Sequence, residues 1–143
     1  MKFWDSSAVV PLAVEEPTSR ACRAWLREDS HQVVWCLTRV EVLSALCRRQ
    51  RDGGLDERDL RRAVERLYAF AERWTELDAV PPVRDAAERL LRVHPLRAAD
   101  ALQLAAALVA ADHRPRGRAF VTLDDRLAAA AEREGFRTLR PHS

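Results

Sequence analysis

Four acidic residues lie either in apolar segments, where a charged side chain is unfavourable, or at positions well suited to chemistry. Asp5 interrupts an apolar run at the start of the chain, and Asp124 follows a second apolar run. Asp100 lies among alanines and leucines, where an acid is unfavourable unless it is paired or bound to an ion. Glu41 falls in the first turn of a predicted helix. Side chains of this type could bind a metal ion or exchange protons with a reacting group.

Convergence of these side chains would create a site that needs a cation. Carboxylates that meet in space repel one another unless a cation or protons intervene. Mg²⁺ or Mn²⁺ suits such a cluster, because hard cations take oxygen ligands and keep exchangeable waters. A metal-bound water can attack a phosphodiester bond, and a second ion can stabilise the leaving oxygen. We therefore expect a magnesium or manganese site with hydrolytic chemistry, in which one acid takes the proton of the nucleophile.

Two of the acids also have a structural interpretation. Thr38 and Glu41 have the spacing of a capping box, in which the glutamate binds a backbone amide at the start of its own helix. Asp124 has the position of a helix N-cap, and Asp125 competes with it for either role. For both acids the sequence leaves the structural and the functional interpretation open.

Hydroxyl side chains beside the acids are candidates for positioning substrate. Ser6 directly follows Asp5 and could hold a metal-bound water or a phosphate. Thr122 precedes Asp124 by two residues and could act in the same way. The structural alternative for each is an ordinary turn hydroxyl.

The elements that must position these residues alternate between strands and helices. Short apolar, β-branched or aromatic runs predict strands over 2–5, 32–36, 77–80, 119–123 and 136–139. Helical spacing and capping residues predict helices over 18–29, 38–53, 56–74, 83–93, 97–112 and 124–134. This alternation predicts an α/β fold with a mostly parallel central sheet covered on both faces. Ligands of such sheets bind beyond the carboxyl ends of the strands, where Asp5 and Asp124 are expected to meet.

Composition limits the class of protein. The 143 residues fit one domain over 1–143, with 48% apolar and 32% charged residues. No apolar run is long enough to span a bilayer, and the acid at position 5 argues against a signal peptide, so we expect a cytoplasmic protein. The net charge of +2 means that nucleic-acid binding must use a local basic patch or a bound cation.

Several other enzyme classes are disfavoured by missing residues. A dehalogenase-type site would need a second acid two residues after Asp5, where Ser7 stands. A response-regulator receiver would need a late lysine, and the single lysine is Lys2. The chain has neither a glycine-rich dinucleotide turn nor a GxSxG nucleophile elbow, and its three cysteines form no CxxC pair.

Four motifs in order resemble those of PIN-domain ribonucleases. The segments are DSSAVV at 5–10, TRVEVLSAL at 38–46, LRAADALQLAAA at 96–107 and FVTLDDRL at 120–127. Together they span essentially the whole chain. The size of the chain makes it most similar to the VapC toxins of bacterial VapBC toxin–antitoxin pairs.

The resemblance implies a three-layer α/β/α PIN fold that cleaves RNA with Mg²⁺ or Mn²⁺. It also implies a homodimer and a cognate antitoxin whose C-terminal segment occupies the active-site groove. Asp5 and Asp100 match the positions that bear most of the metal binding, and Glu41 and Asp124 match those that complete the cluster. The doublet of Asp124 and Asp125 leaves the fourth acid open.

Two alternatives accompany this hypothesis. One is a non-catalytic PIN-like module that binds RNA or protein, which the four filled acidic positions disfavour. The other is a PIN nuclease outside a toxin–antitoxin pair. The two helices expected over 38–74, apolar on one face and rich in arginine on the other, are the predicted surface for an antitoxin or a second subunit.

Overall fold

The computed structural model describes residues 1–141, so the last two residues of the domain expected over 1–143 lie outside the described part. Within it the strands are β1 Lys2–Trp4, β2 Gln32–Trp35, β3 Thr75–Leu77, β4 Ala119–Val121 and β5 Arg137–Leu139. They form one sheet in the order β3-β2-β1-β4-β5, and every neighbouring pair is parallel. The predicted parallel sheet is therefore confirmed.

Helices cover both faces of this sheet. In the described residues they are α1 Ser6–Ala13, α2 Ser19–Glu28, α3 Thr38–Arg51, α4 Glu57–Ala71, α5 Val80–Val93, α6 Ala98–Ala110 and α7 Asp125–Glu134. Successive side chains of a strand point to opposite faces. Accordingly Phe3 and Phe120 pack with α5, α6 and α7 in one apolar cluster, whereas Trp4 and Val121 pack with α1 to α4 in the other. This arrangement confirms the three-layer α/β/α fold.

Two elements differ from the sequence-based expectation. The third strand is Thr75–Leu77 rather than 77–80, because Val80 already begins α5. Prolines at positions 81 and 82 fall in the first turn of that helix, where backbone N–H groups have no partner inside the helix to lose. The segment after Asp5, for which no helix was predicted, forms α1 despite an internal proline at position 11.

The parallel sheet brings the ends of three strands to one edge. β1 lies at the centre, between β2 and β4, and Asp5 directly follows it. α3 begins shortly after β2, and α7 begins shortly after β4. The N-terminal turns of these helices therefore lie beside the end of β1. No helix within residues 1–141 is long and apolar enough to cross a bilayer.

Candidate active site

Asp5 is the most deeply buried acid of the site, with 3% of its surface exposed. Its backbone N–H donates to the carbonyl of Val121 at 3.0 Å, which continues the pairing of β1 with β4 by one residue. Its Oδ2 accepts hydrogen bonds from Ser7 Oγ and from Thr122 Oγ1, the latter at 2.9 Å. Burial raises the pKa of Asp5, the two hydroxyls oppose that rise, and the nearby charge of Asp124 adds to it.

The two hydroxyls that hold Asp5 are themselves held by backbone groups. Ser7 Oγ accepts from the N–H of Leu123 at 3.0 Å, and Thr122 Oγ1 accepts from the N–H of Asp124 at 3.0 Å. Thr122 is fully buried, so any influence on a substrate passes through Asp5. Both hydroxyls bind Oδ2 of the carboxylate, whereas Oδ1 lies 3.5 Å from Ser6 Oγ.

Glu41 reaches the same place from the first turn of α3. Its Oε1 accepts from Gln103 Nε2 at 3.0 Å, and its Oε2 accepts from Ser6 Oγ at 3.3 Å. The capping-box interpretation is wrong, because Leu37 is the N-cap of α3 and no side chain caps that helix. Thr38 Oγ1 instead accepts from Gln103 Nε2 at 3.1 Å. Glu41 is therefore directed towards the site rather than towards its own backbone.

The electrostatics of Glu41 indicate that the acids lie close together. Burial raises the pKa of Glu41, and the hydrogen bonds from Gln103 and Ser6 oppose that rise. The charges of Asp5 and Asp100 raise it further. Carboxylates from α3, α6 and the end of β1 thus act on one another.

Asp100 differs from the other acids because it receives no hydrogen bond from any residue in the described part of the chain. It lies half-buried in the first turn of α6, whose N-cap is Arg97. Burial, followed by the charges of Asp124 and Asp5, raises its pKa to about 6, and Arg97 opposes this shift. A nearby cation would therefore favour the ionised form of Asp100.

Asp124 is the N-cap of α7 and also lies close enough to two other acids to affect them. Its Oδ1 accepts from the N–H of Leu127 at 2.9 Å and so caps α7, while its charge raises the pKa of both Asp5 and Asp100. Asp125 is exposed and forms an ion pair with Arg140. The geometry therefore favours Asp124 as the fourth member of the cluster.

An open groove of about 400 Å³ adjoins the cluster. Its lining residues are Pro95, Arg97, Asp100, Asp124, Asp125 and Arg126. Two exposed arginines thus lie at the same groove as two of the acids. A phosphate-bearing ligand in this groove would lie beside carboxylates that could bind a cation and beside guanidinium groups that could donate hydrogen bonds to it.

The donor set suits a hard divalent cation. In residues 1–141, no group of three or more histidine, cysteine, aspartate or glutamate side chains is arranged to hold a metal ion. The four carboxylates nevertheless offer only oxygen donors, which Mg²⁺ and Mn²⁺ prefer. Their mutual repulsion is the kind of cost that a bound cation removes. The chemistry of the donor atoms therefore fits such an ion, although their arrangement among the described residues does not form a closed site.

Sequence reasoning missed two polar side chains of this site, Ser7 and Gln103. Ser7 was passed over beside Ser6, although it is Ser7 that binds Asp5 directly and Ser6 that lies between Asp5 and Glu41. Gln103 carried a usable signal, since it is a polar residue one helical turn after the acid of α6 in an otherwise apolar segment.

The fold and the site define an α/β protein with an acidic, cation-compatible cluster at the carboxyl edge of a parallel sheet. The PIN domain family model matches residues 2–133, so the chain belongs to the PIN-domain family. The resemblance found in the four motifs is thereby confirmed.

Two relatives extend over nearly the full chain. Ribonuclease VapC46 of Mycobacterium tuberculosis is 36% identical over 140 residues, which cover 97% of this chain and 96% of the relative. Ribonuclease VapC47 of Mycobacterium tuberculosis is 31% identical over 145 residues, which cover 99% and 97%. The likeness is thus to VapC-type members of the family.

Solved structures share the fold at lower identity. PAE2754 from Pyrobaculum aerophilum has a TM-score of 0.68 at 23% identity, covering 96% of this chain and 87% of that one. FitAcB from Neisseria gonorrhoeae has a TM-score of 0.68 at 19% identity, covering 100% of both chains. A toxin–antitoxin complex from Klebsiella pneumoniae contains a chain with a TM-score of 0.60 at 16% identity, covering 100% of this chain and 99% of that one.

Proposed function

We propose that this protein is a ribonuclease that cleaves RNA internally, in a reaction that depends on Mg²⁺ or Mn²⁺. The observation that carries the proposal is the set of Asp5, Glu41, Asp100 and Asp124 at one edge of the sheet, where their charges act on one another. Two relatives are named ribonucleases, which supports the same chemistry.

Each acid has a distinct part in this proposal. Asp5 and Asp100 supply most of the metal binding, and Glu41 and Asp124 complete the cluster. When bound, the cation supplies an activated water and neutralises charge that develops on the phosphate. Ser7 keeps Asp5 in one orientation through the bond to Oδ2, so that this carboxylate could help to hold the ion.

Ser6 is the residue proposed to position the reacting groups. Its hydroxyl lies 3.5 Å from Asp5 Oδ1 and 3.3 Å from Glu41 Oε2, between the two carboxylates. A hydroxyl can donate one hydrogen bond and accept others. Ser6 can therefore donate to one carboxylate oxygen while accepting from a water molecule that serves as nucleophile.

Arginines supply the contact with RNA outside the acidic cluster. Arg97 and Arg126 line the groove beside Asp100 and Asp124. Because the net charge of the chain is only +2, a polyanion must be bound by such local cations together with the metal. These two residues are proposed to bind phosphates that flank the cleaved bond.

We further propose that the enzyme is the toxin of a type II toxin–antitoxin pair, acting in the cytoplasm as a homodimeric single domain. The proposed contact surface for an antitoxin is formed by α3 and α4. It presents exposed Leu37, Val40 and Tyr68, and Arg39 stacks over the Tyr68 ring at 5.1 Å. A shallow groove along α4 that includes Leu60 continues this surface.

The direct experiment is cleavage of RNA by the purified protein with Mg²⁺, with Mn²⁺ and with EDTA. We expect cleavage with either ion and none with the chelator. Sequencing of RNA ends after induction in cells, compared with an Asp100→Asn variant, would identify the substrate. RNA binding without any cleavage under all ion conditions would instead favour the non-catalytic binding module.

A further inference from the structure

A buried glutamine stands out on the inner side of α6. Gln103 is 1% exposed and lies among buried Ala101, Leu104 and Ala106. A buried amide is unfavourable unless its polar atoms find partners. An apolar side chain would continue the pattern of the helix without that cost, so the amide must serve a specific contact.

That contact is with the start of α3. Gln103 Nε2 donates to Glu41 Oε1 at 3.0 Å and to Thr38 Oγ1 at 3.1 Å. Because an ionised carboxylate only accepts hydrogen bonds, the NH₂ group rather than the carbonyl of the amide must face Glu41. Both donors of Gln103 are then used, while its Oε1 is buried without a partner among the described residues.

The contact makes the two oxygens of Glu41 unequal. Oε1 is bound by a buried donor, whereas Oε2 has only the longer contact with Ser6 Oγ at 3.3 Å. Asp5 shows the same division, with Oδ2 bound by two hydroxyls and Oδ1 only 3.5 Å from the same Ser6 oxygen. Glu41 Oε2 and Asp5 Oδ1 therefore share one neighbour, Ser6 Oγ.

We propose that Gln103 is a positioning residue that holds Glu41 so that a single oxygen, Oε2, is offered to the divalent cation beside Asp5. The inference rests on the proposed function, because it assigns a role at the same cation site. Gln103 acts through Glu41 and touches neither the ion nor the RNA. The carbonyl of Gln103 is buried without a partner in the described part of the chain, which lowers the stability of the fold. This cost argues against a role of Gln103 in stability alone.

The test measures Mn²⁺ affinity, by calorimetry or by electron paramagnetic resonance, in the absence of RNA. Gln103→Met removes the donor at similar volume and is expected to weaken Mn²⁺ binding about tenfold, the lower end of the range for groups that orient metal ligands. Gln32→Met is the matched control, because Gln32 is also a buried glutamine, 3% exposed, but lies at the start of β2 away from the site. This control is expected to bind Mn²⁺ as the parent does.

A second pair of variants tests whether the effect passes through Glu41. Glu41→Gln is expected to weaken Mn²⁺ binding, and adding Gln103→Met to it is expected to weaken binding no further. Independent losses that multiply in the double variant would overturn the positioning role. Should Gln103→Met not fold, Gln103→Asn keeps a buried amide but is one methylene too short to reach Glu41, and the same loss is expected.

The outcomes separate this inference from the function on which it rests. If the parent protein binds Mn²⁺ and Gln103→Met binds it equally well, the positioning role is wrong and the ribonuclease proposal stands. If the folded parent binds no Mn²⁺ at millimolar concentration, both the cation site and the role of Gln103 are wrong.

Discussion

The four acids of the site form two pairs, or halves, that differ in the hydrogen bonds that hold them. In the anchored half, Asp5 and Glu41 each have one oxygen bound by buried hydroxyl or amide donors. In the open half, Asp100 receives no hydrogen bond from the described residues, and Asp124 accepts one bond from a backbone N–H at the start of α7. The anchored half is held in position by the fold alone. The open half is less constrained by hydrogen bonds, and it is the half that lines the groove.

This contrast explains how one site can be both ordered and ready to bind an ion. Donors that satisfy one oxygen of a carboxylate fix its direction without removing its charge. The acid without donors has its pKa raised to about 6, chiefly by burial and then by neighbouring charge. A cation bound there would therefore have Asp5 and Glu41 already held in position, and it would reduce the cost of an ionised Asp100.

The largest expected effect is loss of cleavage when either half loses its principal acid. Asp5→Asn and Asp100→Asn should each reduce RNA cleavage by at least about 10²–10³-fold, because removal of a single group that stabilises transition-state charge has effects of that size. Asp125→Asn is the matched control, since Asp125 lines the same groove but pairs with Arg140. Retained cleavage in a folded Asp100→Asn variant would contradict the assignment of the open half.

The next effect concerns the anchored half and is measured as stability. Thr122→Val removes a donor to buried Asp5, and a hydrogen bond to a charged group contributes about 1.5–3 kcal/mol to the free energy of unfolding. Thr138→Val is the control, because Thr138 donates to Glu132 at an exposed position, where the loss should be about 0.5 kcal/mol or less. Urea denaturation in a chelator, at pH 7, gives both values. Equal losses of unfolding free energy in the two variants would show that the hydrogen bond to Asp5 contributes no more to stability than an exposed one.

A smaller effect is expected in the pH dependence of stability without metal. The folded pKa of Asp100, about 6, lies above its ordinary value of 3.8. The folded chain therefore binds that proton more tightly than the unfolded chain, and stability from this group is lost as the pH rises from about 4 through about 6. Asp100→Asn should remove this loss and be more stable than the parent at pH 7 by about 1 kcal/mol, a value reduced for solvent screening of a half-buried group.

Thermal melts in chelator across pH 4.5 to 7.5, set by the shift just cited, measure this difference. Added Mg²⁺ should reverse it, because an ion that binds only the folded parent stabilises the parent alone. If the parent is more stable than Asp100→Asn at pH 7 in chelator, the ionised Asp100 carboxylate does not destabilise the folded protein.

The smallest expected effect is on RNA binding by the arginines beside the open half. Arg126→Ala should weaken RNA binding by a few-fold and lower the slope of log affinity against log salt by about 1, as expected for one lost phosphate contact. Arg133→Ala is the control, an exposed arginine in the last turn of the same helix. Binding assays in an Asp100→Asn background avoid cleavage of the RNA. An equal change in both variants would reduce the role of Arg126 to general surface charge.

The acids of the site could be predicted from the sequence, but the residues that hold them could not. Acids after strands and at helix starts are local features, so Asp5, Glu41, Asp100 and Asp124 were identifiable from spacing and neighbours. The partners of the anchored half were not, because Gln103 meets Glu41 across 62 positions of the chain and Thr122 meets Asp5 across 117. Such contacts depend on the order of the strands, which periodicity alone does not give.

Local rules failed where two signals conflicted. The spacing of Thr38 and Glu41 satisfies a capping box, yet the glutamate is drawn to Gln103 and Ser6 instead. The prolines after Val80 suggested that a strand ends there, but they occupy the first turn of α5. In each case tertiary context decided between two locally acceptable structures.

Anomalous diffraction from crystals grown with Mn²⁺ would locate the proposed cation directly. We expect an anomalous peak among the four carboxylates, within about 2.0–2.6 Å of oxygens of Asp5 and Asp100, as hard cations require. A well-ordered crystal at millimolar Mn²⁺ with no peak there, or with its peak outside the cluster, would contradict the proposed cation site.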